Sequence, residues 1–396
     1  MADRTDRNVF ILGAGFSADA GAPLVRNFLD VSRELFDDPN SGLDIEERTL
    51  FRTVFDFRKQ VAQAREKFEI DLDNIEELFG LVEMSQRLRP EMAGTRDATV
   101  YVIAKTLELS VKNYQHQPWA NFSVAQNYRL TNLPWISKVP RQQGGDDRFQ
   151  WEVYKHFAFL LAGEYDDPLK AKFRSNVVIT FNYDLVLDHV LEELRIKHTY
   201  GFEGDSASGE LSLLKLHGST NWASCPSCKR VNVMPERLFA PPSQFQSQGC
   251  QYCGTTALRR LLVPPSWDKS EYQSALQPVW KKAMEEIQRA TRICIIGYSM
   301  PEMDSFFKYL LTLGLAENDQ LYKLIVVDKA AQNLQSWNSS SPDVDPTVET
   351  VEHRYRRMLA QLFAKKRFYF SNDGFSFFLQ RAASTWLNRA ETIMPQ

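Results

Sequence analysis

Four of the five cysteines stand in two Cys-x-x-Cys pairs, Cys225-Pro-Ser-Cys228 and Cys250-Gln-Tyr-Cys253, with 21 residues between them. Four thiolates at this spacing can close a tetrahedral shell around zinc. A shell completed by protein sulfurs has no open position, so the expected ion is structural rather than catalytic. The stretch 229–249 has few aliphatic side chains, and metal binding would supply much of that module's folding energy. Cys294, inside Ile293-Cys294-Ile295-Ile296, reads as a small core residue. A second set of reactive types sits where apolar runs end. Asn8 to Leu12 leads into Gly13-Ala14-Gly15-Phe16-Ser17, and Asn176 to Thr180 into Phe181-Asn182-Tyr183-Asp184. Leu211 to Leu216 leads into His217-Gly218-Ser219, Arg292 to Ile296 into Gly297-Tyr298-Ser299, and Lys323 to Val327 into Asp328. A glycine loop between strand and helix presents backbone N–H groups to a phosphate. Histidine is the side chain suited to proton transfer near neutral pH. Singly, each has a plainer reading: a tight turn for Gly13-x-Gly15-x-x-Ala18, a structural role for His217, a helix cap for Asp184. An ordinary dinucleotide fingerprint is also followed about 20 residues later by a strand ending in an acid, and that region here has a helical pattern.

These residues need a scaffold that brings distant positions together. Five apolar runs alternate with helical patterns, such as 187, 190, 191 and 194, Tyr272 to Ala290, and 303–313, which predicts a parallel α/β sheet. In a doubly wound sheet, ligands bind outside the carboxyl ends of the strands, so the five polar ends would converge on one crevice. The sheet domain is expected at 1–30 and 171–334. Residues 31–170 read as a helical insertion, with apolar positions 75, 78, 79 and 82 and helical stretches at 97–114 and 151–162. No period-2 segment stands out there. Ser41 to Asp44, Gln117 to Trp119 and Gln142 to Asp147 look like loops, and Asp73 with Glu76 resembles a capping box. The metal module spans 223–257. A polar loop occupies 335–347. The tail, 348–396, is expected to be helical, with aromatic clusters at Phe368 to Phe370 and Phe375 to Phe378.

The 396 residues carry 47 Lys and Arg against 50 Asp and Glu, a net charge of −3. This excludes a chain-wide basic footprint and argues against nucleic acid as the direct substrate. The basic stretches 354–357 and 365–367 read as solvated helix faces. A hydrophobic fraction of 43% and a charged fraction of 24% exclude wholesale disorder. No apolar run reaches the ~20 residues of a spanning helix, and the first residues lack the apolar core of a secretory signal. The expectation is therefore a cytoplasmic chain with no membrane partner and reduced thiols.

Taken together, the strand-end motifs and the cysteine pairs resemble the sirtuin family over about half the chain. The family's Gly-Ala-Gly-x-Ser-x-x-x-Gly-x-Pro matches Gly13 to Pro23. Its Thr-Gln-Asn-x-Asp matches Thr180-Phe181-Asn182-Tyr183-Asp184, its His-Gly matches His217-Gly218, and its Gly-Thr-Ser is similar to Gly297-Tyr298-Ser299. The departures are informative. Pro-Asp-Phe-Arg becomes Pro23-Leu24-Val25-Arg26. The segment that pairs with substrate peptide in deacylases is replaced by residues 262–268, where Pro264 and Pro265 remove backbone donors. The stretch between the first two motifs is much longer. In these features the chain is similar to the sirtuin-like NAD hydrolases of bacterial antiphage defence. The resemblance implies a sirtuin-like variant Rossmann parallel sheet with a large helical insertion and a four-cysteine zinc module. It implies NAD+ as substrate and Zn2+ as a structural ion. Asn182 and His217 would be catalytic. Gly13, Ala14, Gly15 and Ser17 would hold the pyrophosphate, Arg26 would close over the cofactor, and Asp184, Gly297, Ser299 and Asp328 would complete the binding site. The implied activity is conversion of NAD+ to nicotinamide and ADP-ribose, an effector step that depletes NAD+. The implied assembly is a homo-oligomer, with a HerA-type ATPase or other defence protein as partner. The alternatives are an NAD-dependent protein deacylase, which shares His217 but needs a peptide groove, and a noncatalytic nucleotide-sensing scaffold.

Overall fold

Among the described residues, the apolar runs assemble into a seven-stranded sheet in which every pairing is parallel, in the order Phe368–Ser371, Lys323–Val327, Arg292–Ile296, Asp6–Leu12, Arg174–Thr180, Leu211–Lys215, His198–Thr199. The computed structural model describes residues 6–64, 70–111, 147–162, 174–202, 210–234, 249–256, 258–263, 270–300, 305–328, 350–364, 368–371, 374, 375, 378 and 379. The strands are β1 (Asp6–Leu12), β2 (Arg174–Thr180), β3 (His198–Thr199), β4 (Leu211–Lys215), β8 (Arg292–Ile296), β9 (Lys323–Val327) and β10 (Phe368–Ser371). Strands β5 (Gly218–Ser224), β6 (Val231–Val233) and β7 (Arg259–Leu262) form a separate antiparallel sheet in the order β6-β5-β7. β8 and β9 are buried at every position, as a parallel strand covered on both faces must be.

The helices are α1 (Ala14–Ser17), α2 (Phe28–Asp37), α3 (Ile45–Ala62), α4 (Ile75–Leu88), α5 (Ala93–Ser110) and α6 (Asp147–Ala162). They continue as α7 (Val186–Glu193), α8 (Ser270–Gln288), α9 (Ser305–Ala316), α10 (Val351–Met358) and α11 (Ala360–Ala364). The long stretch after β1 divides by its packing. α2 to α5 build their own apolar core around Phe51, Val54, Leu78, Phe79, Val102 and Ile103. α6 instead lays Val153, Phe157 and Leu161 into the core of the parallel sheet. One strand joins all three cores. On β7 and its flanks, Leu258 packs in the small cysteine core, Leu261 and Val263 in the sheet core, and Leu262 in the helical core.

Two local expectations are corrected. The tail is helical only in part, because Phe368–Ser371 is an edge strand pairing in parallel with β9. Phe368 and Phe370, two residues apart, are both buried, and a period of two is what a strand needs. Asn74, not Asp73, caps α4, its side chain accepting from the N–H groups of Glu76 and Glu77, while Asp73 pairs with Arg58. A capping box forms instead at Asp44 and Glu47, at the start of α3. The 335–347 loop, the loops at 117–119 and 142–146, and Pro264 and Pro265 lie outside the described residues. Among the described residues, no helix is long and apolar enough to cross a membrane.

The packing of α6 carries a pH dependence. Burial pushes the imidazole of His156 down from 6.5 to about 4. The unfolded chain therefore binds more protons than the folded one between these values, and stability should rise with pH across that window. Acidifying from pH 7 to pH 4 is expected to remove about 2–3 kcal/mol through this residue, at about 1.4 kcal/mol per pH unit. Urea unfolding of the native chain and of His156→Gln at both pH values checks this, since the variant should lose that much less.

Candidate active site

The carboxyl ends of five neighbouring strands open into one cavity of about 470 Å3. Across the sheet the order is Asp328 after β9, Gly297 and Ser299 after β8, Ala14 and Gly15 after β1, Asn182 and Asp184 after β2, and His217 after β4. Arg26, from the 3-10 turn Val25–Asn27 that leads into α2, also lines it. Strands lie about 4.8 Å apart, so the four steps from Asp328 to His217 span roughly 19 Å. The opposite wall is apolar and comes from the helical core, through Phe28, Ile75, Phe79, Ile103 and Leu107, with Phe375 contributed by the tail.

Gly13 and Ser17 do not line this cavity and stand behind its wall. The N–H groups of Gly13, Gly15 and Phe16 are engaged by the carbonyls of Ile296, Gly297 and Gly13, at 3.0, 2.8 and 2.9 Å. These glycines let two loops interlock. A Cβ on Gly297, where φ is +61°, would meet the Phe16 nitrogen at 2.3 Å, and one on Gly13 would meet the Gly297 carbonyl oxygen at 2.6 Å. The Gly13–Ser17 loop is thus braced against the Gly297 loop, with these three N–H groups engaged within the protein. Tyr154 on α6 donates to the Phe16 carbonyl at 2.6 Å, and Tyr355 on α10 donates to the Tyr298 carbonyl at 2.8 Å. Both tyrosines are fully buried, so helices on each side hold the two loops in register.

Asn182 is oriented by the same bracing. Its amide nitrogen donates to the Gly13 carbonyl at 2.9 Å and to Ser17 Oγ at 3.1 Å. Since a carbonyl only accepts, this assigns the amide orientation, and the side-chain oxygen is the atom left for a ligand hydroxyl or a water. Ser17 in turn bonds the Asp184 carboxylate, which also accepts from the Val186 N–H at 3.0 Å. Burial pushes the Asp184 carboxyl above its ordinary range, against the opposing pull of Lys215 and these hydrogen bonds. Ser17 is therefore a buried link between Asn182 and Asp184, and Asp184 both accepts from the first N–H of α7 and lines the cavity.

His217 is buried and stands edge-on to Phe181, with ring centres 5.1 Å apart, flanked by Tyr183 at 6.1 Å and Trp280 at 6.4 Å. Its carbonyl accepts from the Val263 N–H at 2.9 Å, and the hydroxyl of Tyr183 donates to the Val263 carbonyl at 2.7 Å. Gly218 follows with φ at +81°, and a Cβ there would meet the Leu261 carbonyl oxygen at 2.0 Å. Only glycine lets β5 start this close to β7. At the other end, Asp328 is largely buried, Ser299 and Arg26 are exposed.

The sulfurs of Cys225, Cys228, Cys250 and Cys253 all lie within 4.8 Å of one another, with Cys225–Cys253 at 3.6 Å and Cys228–Cys250 at 3.7 Å. Zinc–sulfur bonds of about 2.3 Å in a tetrahedron put the sulfurs roughly 3.8 Å apart, so the four cysteines fit a structural zinc ion. None of them forms a disulfide.

Lys215 was not legible as a site residue, although a lysine in the apolar run Leu213-Leu214-Lys215-Leu216 is an anomaly that a buried strand must explain. The apolar wall from α4 and α5 had no signal beyond ordinary helical periodicity.

No family model matches the chain, and no curated protein matches it either. Among solved structures it is similar to a Sir2 in complex with the inhibitor EX-527, 2'-O-acetyl-ADP-ribose and a deacetylated p53 peptide, at 13% identity, a TM-score of 0.36, and coverage of 96% of this chain and 93% of that one. A Sir2–p53 peptide–NAD+ structure gives 13% identity, a TM-score of 0.36, and 96% and 92% coverage. A sirtuin solved in a study of substrate affinity gives 12% identity, a TM-score of 0.37, and 96% and 94% coverage.

Proposed function

We propose that the chain is an NAD+ glycohydrolase. One observation carries the reading: Asp328, Ser299, Gly15, Asn182 and His217 lie in that order along a single cavity at the strand ends. This suits an extended dinucleotide with its adenosine ribose at Asp328, its phosphates near Gly15 and Ser299, and its nicotinamide ribose between Asn182 and His217. In the reaction, the bond from the ribose C1' to the nicotinamide nitrogen breaks. The bonding electrons leave with nicotinamide, which departs neutral and needs no general acid. Charge develops on the ribose, giving an oxocarbenium-like transition state. A water oxygen then bonds to C1'. His217 takes the proton from that water or from a ribose hydroxyl, and the Asn182 oxygen orients the group attacked or attacking. The apolar wall of Phe79, Ile103 and Leu107 limits the water in the cavity. The four cysteines would hold zinc, which supplies folding energy to the module and no chemistry to the reaction. The motif resemblance extends this reading to an effector of antiphage defence that works by NAD+ depletion, in a homo-oligomer and with a partner ATPase.

The test is direct. Purified zinc-loaded chain incubated with NAD+ is expected to release nicotinamide and ADP-ribose in equal amounts without any acylated peptide. Release only when an acyl-lysine peptide is added would replace this reading with deacylation. NAD+ binding by calorimetry without turnover, both alone and in extract of the host cell, would replace it with a sensor.

A further inference from the structure

Beneath Asn182 and His217 lies a buried charged cluster that the proposed mechanism does not use. Lys215 is 1% exposed, and its ammonium donates to the Asp184 backbone carbonyl at 2.7 Å and to Asp188 Oδ2 at 3.0 Å. Asp188 is also buried, and its other oxygen accepts from the Tyr200 hydroxyl at 2.7 Å. Burial alone would push the Asp188 carboxyl up, but Lys215 and Tyr200 more than offset it and hold it below its ordinary range. A buried ion pair is weak evidence for stability, because desolvation opposes the attraction, so its presence calls for a second explanation.

The topology supplies one. Lys215 ends β4, two residues before His217 on the same chain segment. The carbonyl it grips belongs to Asp184, two residues after Asn182. The ammonium is thus a short strut between the segments that carry the two reacting side chains, while Asp188, on α7, fixes the strut from below. On the other side, Ser17 ties Asn182 to the Asp184 carboxylate. The Phe181–Asp184 loop is held through a side chain from above and through its backbone from Lys215.

We propose that Lys215 is a positioning residue that sets the separation between Asn182 and His217. The proposal rests on the glycohydrolase reading for its catalytic consequence, but not for its structural one. Removing only the lysine would strand a buried carboxylate, so the informative variant is Lys215→Met combined with Asp188→Asn, which removes both charges and leaves an amide oxygen to accept from Tyr200. This variant is expected to melt within a few degrees of the native chain. The amides of Asn182 and Val186, bonded to Thr180 Oγ1 and Asp184 Oδ1, should exchange with solvent at least tenfold faster. With NAD+ as substrate, kcat should fall by about 10–100-fold with KM changed by less than threefold, the pattern expected when reacting groups are misplaced by about 1 Å without loss of the binding site. Unchanged exchange at Asn182 and Val186 would overturn the positioning role. Faster exchange with native kcat would overturn its catalytic consequence. If the native chain itself turns over no NAD+, the glycohydrolase reading falls, and the exchange rates still decide whether Lys215 holds the loop.

Discussion

Replacing His217 by phenylalanine is expected to lower the rate of nicotinamide release by about 10²–10⁴-fold, the usual worth of a positioned general acid or base. Phenylalanine is the informative replacement because of what surrounds the ring. Phe181, Tyr183 and Trp280 enclose it in an aromatic box, and the residue itself is 3% exposed. Alanine would leave a void there, and the resulting destabilisation would be confused with lost chemistry. A phenyl ring fills the box, keeps the edge-on contact with Phe181, and removes the nitrogens that move a proton. The backbone contact is indifferent to the change, because Val263 donates to the carbonyl of His217 and not to its ring. Melting temperature and NAD+ affinity should therefore stay close to native while turnover collapses. The measurement is the initial rate at saturating NAD+, beside calorimetric binding. A rate within threefold of native would remove His217 from the mechanism, and the proton would then have to go to another group on the cavity wall.

What could be read from the residues alone follows a physical division. β8 and β9 were legible to the residue, at 292–296 and 323–327, because a parallel strand covered on both faces shows a continuous apolar run. The cysteine pairs were legible because metal geometry constrains spacing directly. β5 was not. Its sequence, Gly-Ser-Thr-Asn-Trp-Ala-Ser, is polar, yet six of its seven residues are buried between the cysteine module and the main sheet. β10 was hidden too, because four residues with two inward phenylalanines, next to a basic stretch, do not distinguish a strand from a helix. The candidate site divides in the same way. Strand-end residues such as Asn182 and His217 advertise themselves by breaking an apolar pattern. The wall from Ile75, Phe79, Ile103 and Leu107 does not, because those positions satisfy the helical period whether they face a core or a ligand. Ser17 belongs to the matching motif, yet it works from behind the wall through Asn182, a relation that exists only after folding.

Removing the metal is expected to abolish activity as well as unfold the cysteine module. The module's own apolar core is small, with Ala223, Cys225, Cys250 and Leu258 as its buried members, so two of the four are ligands themselves. For such modules, metal binding is folding free energy, of order 10–16 kcal/mol for small zinc peptides at neutral pH. The two strands that leave the module then run straight to the candidate active site. β5 begins at Gly218, the residue after His217, and reaches Cys225 directly. β7 returns from the module and pairs with it, Gly218 opposite Leu262, and the next residue, Val263, holds the His217 carbonyl. β7 is also the strand that, with its flanks, enters all three cores, and Arg260 on it lies over the ring of Tyr101 in the helical core at 5.6 Å. Loss of the metal therefore frees one end of the β5–β7 pair, and the other end carries His217. Cys250→Ser, or exhaustive chelation of the native chain, should remove the bound zinc, weaken the near-ultraviolet signal of the buried Trp222 on β5, and lower nicotinamide release by more than 100-fold. Metal content, circular dichroism and turnover measured on one preparation separate the steps. A zinc-free chain that keeps the Trp222 signal and the native rate would show that β5 and β7 hold His217 without the module, and the coupling argued from the three shared cores would be wrong.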